Sequence, residues 1–127
     1  MTEDICVLIV DDEILISLSL TDAVEKYGLR VCGKANTAAK AIDLARKHKP
    51  KIVLMDVRLK GDDDGVAAAI EIHRLIDAHV IFITGSREPE TLERIHQDHP
   101  ADILFKPILP IQLTTSIEKV LARAAAG

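Results

Sequence analysis

Several chemically reactive side chains of this sequence come directly after short apolar runs. An acidic pair follows ICVLIV, a third Asp follows KIVLM, a Thr ends HVIFIT and a Lys follows ADILF; these residues are Asp11, Asp12, Asp56, Thr84 and Lys106. Carboxylates are ligands for hard divalent cations, and hydroxyl and ammonium groups can neutralise charge on phosphate oxygens. A carboxylate beside Mg²⁺ can also attack phosphorus and form an acyl phosphate. These residue types therefore indicate metal-assisted phosphoryl transfer.

This chemistry requires the acids to lie close together, although close carboxylates raise each other's pKa. A divalent cation removes that conflict, and Mg²⁺ typically takes one or two carboxylates with waters and phosphate oxygens. Each residue also has a plainer explanation by itself. Asp12 could be a helix N-cap, Asp56 a turn residue and Thr84 an ordinary strand residue. Lys106 alone could be a solvated surface charge, so it is the joint placement of the residues at strand ends that favours a site.

Five short apolar runs alternate with segments of helical spacing, and they cover 5–10, 29–35, 51–55, 79–84 and 101–105. Four runs are nearly continuous in aliphatic residues, which is typical of parallel strands covered on both faces. The second carries Arg30 and Lys34, which indicates an edge strand. Five β/α pairs with short connections predict right-handed crossovers and a doubly wound parallel α/β sheet. The carboxyl ends of such strands share one edge, so this fold would bring the reactive side chains together.

The segments between the strands predict amphipathic helices. The first, over 14–27, is apolar enough to be well buried, with the inward candidates Ile14, Leu15, Leu18 and Val24. Candidate N-caps for later helices are Asn36 or Thr37, Asp64 and Ser86. Pro110 suits the first turn of the last helix.

Composition limits the class of protein. With 127 residues, 48% hydrophobic and 28% charged, the chain is predicted to form one globular domain. A net charge of −4 argues against nonspecific nucleic-acid binding, which requires a basic face. No apolar stretch reaches the roughly 18 residues of a membrane helix, and no basic segment precedes the N-terminal apolar run. We therefore predict a cytoplasmic protein without membrane insertion, in which Cys6 and Cys32 are free, buried thiols.

Five motifs in this order resemble the receiver domain of bacterial two-component response regulators: VLIVDDE, IVLMDV, DG at 64–65, FITG at 82–85 and FKP at 105–107. The resemblance covers residues 4–122, with 123–127 as a short C-terminal tail and no output domain. It implies a flavodoxin-like topology, with five helices and five parallel strands in the order 2-1-3-4-5. A single-domain regulator similar to the chemotaxis type and a receiver excised from a longer protein both agree with this resemblance.

The resemblance implies a role for each matched residue. Asp56 matches the phosphoacceptor, Thr84 the hydroxyl that turns toward the phosphoryl group, and Lys106 the lysine beside it. The implied ligands of Mg²⁺ are the carboxylates of Asp12 and Asp56, the backbone carbonyl of Arg58 and the carboxylate of Asp11, which would reach the ion directly or through water. The peptide between Lys106 and Pro107 matches a cis peptide of the family.

Three features depart from the family pattern. Lys60 stands where proline is usual, four residues after the phosphoacceptor, and the DG at 64–65 arrives one residue late. Ile103 stands where many receivers place Tyr or Phe, whose ring swings inward as the hydroxyl moves. Switching would then work through backbone shifts or through another residue such as Phe105, although a place in the core is the favoured interpretation of Phe105.

The resemblance implies a phosphorylation-controlled signalling module rather than a metabolic enzyme. The donor would be a sensor histidine kinase or a phosphotransfer protein, and transfer and hydrolysis would be self-catalysed. A downstream protein, or a second copy in a homodimer, would bind the face made by the fourth helix, fifth strand and fifth helix, without direct nucleic-acid contact. Arg58 and Ser86 are predicted to border the attacking water and to tune hydrolysis.

Three other functions stay open from the sequence. A Mg²⁺-dependent phosphatase of the haloacid-dehalogenase type would also form an aspartyl phosphate, but it has D-x-D after the first strand and usually a cap domain. A nucleotide- or flavin-binding module would have a glycine-rich phosphate loop and aromatic residues, whereas this chain has one Tyr and two Phe. The third is a receiver-shaped scaffold that is never phosphorylated.

Overall fold

The computed structural model describes residues 5–61 and 63–126, in which strands and helices alternate strictly. The elements are β1 (Cys6–Val10), α1 (Ile14–Tyr27), β2 (Arg30–Ala35), α2 (Ala38–His48), β3 (Ile52–Asp56), α3 (Gly65–Leu75), β4 (His79–Thr84), α4 (Pro89–Gln97), β5 (Asp102–Phe105) and α5 (Pro110–Ala126). Each predicted strand agrees with the structure to within one residue at either end. Residues 123–126, predicted as a tail, continue α5. The predicted domain start at residue 4 and the last residue of the tail lie outside the described ranges.

The five strands form one parallel sheet in the order β2-β1-β3-β4-β5, which confirms the predicted doubly wound topology. The chain leaves β1 toward one edge of the sheet and later returns to place β3 on the other side of β1. At such a reversal of strand order the helices on the two faces diverge and leave a crevice beyond the strand ends. This crevice lies at the carboxyl ends of β1 and β3.

Alternate strand residues face two separate helix layers. Leu8 and Val53 belong to the core cluster under α2, α3 and α4. Val7 and Leu54 belong to the cluster under α1 and α5. All residues of β1 and β3 are buried, as their continuous aliphatic runs predicted, because both faces of these strands are covered.

The first helix is less buried than its apolar content predicted. Val24 is fully buried, but Ile14, Leu15 and Leu18 are 76%, 81% and 52% exposed. The helix begins just after the carboxyl end of β1, so its first turns lie at the edge of the sheet and only later turns cover the strands. The prediction of inward-facing side chains at these three positions is therefore wrong.

Cys6 and Cys32 form a disulfide between β1 and β2, so the prediction of free thiols is wrong. The register of the two strands shifts between Val7 and Leu8, and Cys32 is the extra residue of this bulge. The two Cα atoms lie 5.5 Å apart, a separation that a disulfide spans. The pairing depends on this register, which the spacing of the two cysteines in the sequence does not reveal.

Two of the three predicted N-cap sites agree with the structure, and at the first of them the N-cap is Thr37 rather than Asn36. The side chains of Thr37 and Asp64 each accept a hydrogen bond from the backbone N–H three residues later, at 3.1 and 3.0 Å. Ser86 is not an N-cap, because Glu88 holds that position before α4. Pro110 begins α5 as predicted. None of the helices within the described ranges is long and apolar enough to cross a membrane.

Candidate metal and phosphoryl site

The crevice at the ends of β1 and β3 contains the predicted acids. Asp11 and Asp12 follow β1 directly, and Asp56 is the last residue of β3. One carboxylate oxygen from each residue lies within 4.8 Å of the others. Asp11 and Asp56 are buried, whereas Asp12 is half-buried. The sheet therefore brings these acids together from distant parts of the sequence, as predicted.

Lys106 contacts this acidic cluster from the opposite side of the crevice. Its Nζ lies 3.3 Å from Oδ2 of Asp11 and 3.3 Å from Oδ2 of Asp56. It also lies 3.7 Å from Oε2 of Glu13, a residue that the sequence analysis did not assign to the site. The run of acids at 11–13 is the signal that could have indicated it. One ammonium group thus faces several carboxylates.

Backbone pairing between β4 and β5 positions Lys106. Thr84 lies opposite Phe105 in the register of the two strands. The next backbone N–H, that of Lys106, donates to the carbonyl oxygen of Thr84 at 2.8 Å. The peptide between Lys106 and Pro107 is cis, as the resemblance implied.

The electrostatics show that Lys106 does not fully neutralise the cluster. Burial, and then the like charge of Asp11, raise the pKa of Asp56 to about 6, although Lys106 acts against this rise. Burial disfavours the charged form of Lys106, but the attraction of Asp56 and Asp11 outweighs it and raises the pKa of Lys106 above its ordinary value. Negative charge is therefore in excess around Asp56.

Asp11 provides a test of whether a metal ion fits here. Its Oδ1 accepts a hydrogen bond from the backbone N–H of Glu13 at 2.9 Å. Its Oδ2 is buried and has no hydrogen-bond partner among residues 5–61 and 63–126; Lys106 contacts this atom as an ion pair only. Because Lys106 also pairs with Asp56, its ammonium offsets only part of the cost of burying this oxygen. An all-oxygen donor set with an unsatisfied buried oxygen fits a hard divalent cation such as Mg²⁺.

Thr84 closes the crevice and connects it to the loop before α4. Its side chain is buried, and Oγ1 accepts a hydrogen bond from the backbone N–H of Ser86 at 3.0 Å. Oγ of Ser86 in turn accepts from the backbone N–H of Glu88 at 3.2 Å. The open cleft above these groups has a volume of about 630 Å³, and Arg58, Ser86 and Arg87 line it. Arg87 belongs to no motif of the sequence and was not predicted as a site residue.

The family of the chain follows from comparison with known proteins. The family described as "Response regulator receiver domain" matches residues 7–118, which include every predicted site residue. The chain belongs to this family.

Similar proteins agree with this membership. PdtaR of Mycobacterium tuberculosis, a transcriptional regulatory protein, is 32% identical over 92% of this chain and 57% of its own length. The chemotaxis protein CheY of Bacillus subtilis is 27% identical over 91% of this chain and 96% of its own. The crystal structure of a signal receiver domain of a diguanylate cyclase from Desulfovibrio desulfuricans matches with a TM-score of 0.87 and 33% identity, covering 93% and 94% of the two chains. The receiver spans about half the length of the first curated relatives that it matches.

Phosphoryl acceptance is the general function of receiver domains, which are in general signalling domains rather than metabolic enzymes. The acidic pocket around Asp56 is the corresponding feature of this receiver. The same fold also occurs in proteins with unrelated chemistry, so the fold alone does not show this function. The assignment depends on the acidic site as well.

Two departures from the family pattern have structural consequences in this receiver. The backbone N–H of Lys60 donates to the carbonyl oxygen of Asn36 at 3.2 Å, a bond that proline could not make. Gly65 packs so closely on Asp56 that an added Cβ would collide with the carbonyl oxygen of Asp56. Although the DG motif at 64–65 comes one residue later than is usual in the family, it therefore still places the start of α3 directly against the backbone of the predicted phosphoacceptor.

The third departure concerns the aromatic side chain of β5. Ile103 is half-buried and packs against the core under α2, α3 and α4. Phe105 is also half-buried, and the guanidinium carbon of Arg87 lies 4.0 Å from the centre of its ring. Phe105 thus forms a cation–π contact at the rim of the crevice and, among the described residues, belongs to neither core cluster, so the favoured prediction of a core role for Phe105 is wrong.

Proposed function

We propose that this receiver accepts a phosphoryl group on Asp56 from a phosphohistidine donor, with Mg²⁺ bound in the acidic crevice. The observation that carries the proposal is the set of groups around Asp56. Its Oδ2 lies 3.3 Å from the ammonium of Lys106, and a carboxylate oxygen of Asp56 lies within 4.8 Å of oxygens from Asp11 and Asp12. The carboxylate of Asp56, the proposed nucleophile, thus lies next to both a cation and oxygens that can bind a metal ion.

The side chains of the crevice have distinct parts in this reaction. A pKa of about 6 leaves Asp56 mostly ionised at neutral pH, so its carboxylate can attack phosphorus. The new O–P bond forms as the N–P bond to the donor imidazole breaks, and the imidazole nitrogen takes the electron pair. Lys106 and the hydroxyl of Thr84 donate hydrogen bonds to phosphoryl oxygens, which stabilises the charge that spreads over them.

The residues that would hold the metal are Asp11, Asp12, Asp56 and, through its backbone carbonyl, Arg58. The ion would supply positive charge for the carboxylates and for the phosphate oxygens. The unsatisfied buried oxygen of Asp11 and the excess negative charge at Asp56 support this role.

Exposed apolar side chains around the crevice support a protein as the donor, either a sensor histidine kinase or a phosphotransfer protein. Ile14 and Leu15 lie directly after the acidic run, and Leu109 lies three residues after Lys106; these three are 76%, 81% and 63% exposed. Large apolar side chains exposed on both sides of a polar site are typical of protein-binding surfaces. We place this exchange between proteins in the cytoplasm.

The downstream partner, or a second copy of the chain, would bind the face made by α4, β5 and α5. The half-exposed strand β5 supports this placement, as does Ile111 in the first turn of α5, which is 67% exposed. Neither nucleic-acid contact nor membrane insertion is part of the proposal.

Intact mass after incubation with Mg²⁺ and either acetyl phosphate or phosphoramidate tests the proposal. We expect a gain of about 80 Da from one phosphoryl group. Asp56→Asn and chelation by EDTA should each abolish the gain. Asp63→Asn, a matched change of an exposed acid in the β3–α3 loop, should leave it intact. No gain in the wild type with either donor would contradict the proposal and favour the scaffold function.

Hydrolysis of the phosphorylated protein gives a second test. Arg58 and Ser86 line the cleft, where they would border the attacking water. Arg58→Ala and Ser86→Ala should each change the lifetime of the phosphorylated form, measured by the decay of the added mass. An unchanged lifetime in both variants would remove these residues from the proposal.

A further inference from the structure

Arg87 lies at the crevice without a part in the reaction described above. It lines the same cleft as Asp56 and Lys106. Its guanidinium carbon lies 4.0 Å from the centre of the Phe105 ring, where it covers one face of this half-buried side chain. A cation at the rim of a phosphoryl site is therefore held on an aromatic ring.

We propose that Arg87 leaves Phe105 and binds the phosphoryl group when Asp56 is phosphorylated, and that this exposes the ring of Phe105 to a partner. Arg87 is then a phosphate-binding residue, and its contact with Phe105 is the switch of this receiver. The inference rests on the proposed function, since it requires phosphorylated Asp56.

The balance of charges explains why Arg87 would move. In the unphosphorylated crevice Lys106 already pairs with Asp56 and Asp11. A phosphoryl group carries a charge of about −1.5 to −2 in place of the single negative charge of the Asp56 carboxylate, and it brings several acceptor oxygens. Arginine binds such a group through two parallel hydrogen bonds, which are stronger than the contact of a cation with a solvent-accessible ring. The added charge therefore favours the crevice over Phe105 as the position of the guanidinium group.

The loop that carries Arg87 is held by the hydroxyl of Thr84. Oγ1 of Thr84 accepts from the backbone N–H of Ser86, and Oγ of Ser86 accepts from that of Glu88, so Arg87 lies between two residues of this chain of hydrogen bonds. Rotation of the hydroxyl toward a phosphoryl oxygen breaks the first bond and frees the backbone next to Arg87. The event that attracts Arg87 thus also releases its loop.

Phe105 is well placed to report this event. It lies opposite Thr84 in the register of β4 and β5. It is two residues beyond Ile103, so both side chains lie on the same face of β5. Ile103 packs against the core with an aliphatic side chain and has no ring to rotate. Departure of Arg87 would therefore uncover an aromatic side chain at the end of β5, on the face proposed for partner binding.

The chain contains no Trp, so Phe105→Trp provides a single fluorescent reporter. We expect Mg²⁺ with acetyl phosphate to increase quenching of this Trp by acrylamide. In the double variant with Arg87→Ala the Trp should be quenched strongly before phosphorylation and show no further increase. Intact mass must show the added phosphoryl group in each sample, which separates failure of the switch from failure of the proposed function. Unchanged quenching in a phosphorylated sample of the single variant would overturn the proposal.

Binding of beryllium fluoride, an analogue of the phosphoryl group, tests the role of Arg87 without altering Phe105. In titration calorimetry with Mg²⁺ present, Arg87→Ala should weaken binding at least about tenfold, the effect of losing a charge-assisted hydrogen bond. Arg87→Lys should restore part of the loss. Arg74→Ala removes the same charge from an exposed position on α3, where it pairs with Glu71, and should bind as the wild type does. Equal affinity of Arg87→Ala and the wild type would contradict the proposal.

Discussion

The two halves of the site are built on elements of very different packing. Asp11, Asp12 and Asp56 project from β1 and β3, in which every residue is buried. Lys106 follows β5, in which every residue is half-exposed. The helix beside it, α4, buries Ile95 alone within Pro89–Gln97, whereas α3 buries five residues. The acidic half of the site is thus fixed by the buried core. The half around β5 and α4 has fewer buried side chains and is held less firmly to the rest of the domain.

This difference matches what each half has to do. Like charges stay close together only if the backbone that carries them cannot relax, and close-packed strands resist such relaxation. A switch has to move at small cost, and elements with few buried apolar side chains open most easily. The acids therefore lie on the rigid half, whereas Thr84 and Arg87 connect to the half that can shift.

The largest effect is expected from equal truncations in the two halves. Leu54 of β3 is fully buried, and Leu104 of β5 is half-buried. Leu54→Ala should lower the free energy of unfolding by about 4 kcal/mol, whereas Leu104→Ala should cost about 1.5 kcal/mol, because less surface is lost and solvent can fill the gap. Urea denaturation of both variants measures the difference. Equal losses would show that the two halves are packed alike.

The same contrast explains which parts of the structure could be predicted from the sequence. The buried strands and Asp56 were predictable because continuous aliphatic runs mark β1 and β3, and because strand ends in a parallel sheet must share one edge. Arg87 was not, because it lies in a loop where no periodicity applies, and its contact with Phe105 depends on how β5 and α4 approach each other.

The two wrong predictions in the first third of the chain have related causes. Periodicity identifies an apolar helix face but not how far the sheet extends beneath it, so the exposure of Ile14 and Leu15 could not be foreseen. The disulfide of Cys6 and Cys32 depends on a bulge, and composition favoured reduced thiols. In both cases the outcome depends on how two elements of secondary structure lie against each other in space. The sequence of one segment does not reveal that arrangement.

A stability change of intermediate size is expected when the charge of Asp56, in the rigid half of the site, is removed. Its pKa rises from 3.8 to about 6 on folding, so the folded state holds this proton more tightly than the unfolded state. Stability is therefore lost as the pH rises from about 4 to 6, and the loss is complete above that range. Without metal, Asp56→Asn should stabilise the protein by about 2 kcal/mol at pH 8 and have almost no effect at pH 4.

Thermal denaturation of both proteins in EDTA across this pH range gives the measurement. Asp63→Asn is the matched control, since this acid is exposed and lies outside the buried acidic cluster. A stabilisation by Asp56→Asn that persists at pH 4 would mean that charge is not its cause. Addition of Mg²⁺ at pH 8 should reduce the difference between the proteins if the ion binds to the wild-type acids.

The smallest effect is expected at the polar contacts that hold α4. Arg94 binds Asp64, the N-cap of α3, through two hydrogen bonds of 2.8 and 3.2 Å. Burial opposes the charge of Asp64, but the hydrogen bonds from Arg94 and from the backbone of Ala67 outweigh this and lower the pKa of Asp64. At the other end of α4, Nδ1 of His73 lies 2.8 Å from Oδ2 of Asp98. One ion pair and one side-chain hydrogen bond thus hold α4 to α3 where apolar packing is thin.

Arg94→Ala should therefore loosen α4 more than it destabilises the whole protein. Because the pair is partly exposed, we expect hydrogen exchange of the α4 amides to accelerate about fourfold, which corresponds to about 0.8 kcal/mol, with no change in β1 or β3. Arg74→Ala, which breaks a pair within α3, is the control and should leave α4 exchange unchanged. Acceleration spread evenly over α4, β1 and β3 would show that α4 opens only when the whole domain unfolds, and a loosely attached switch half would then be excluded.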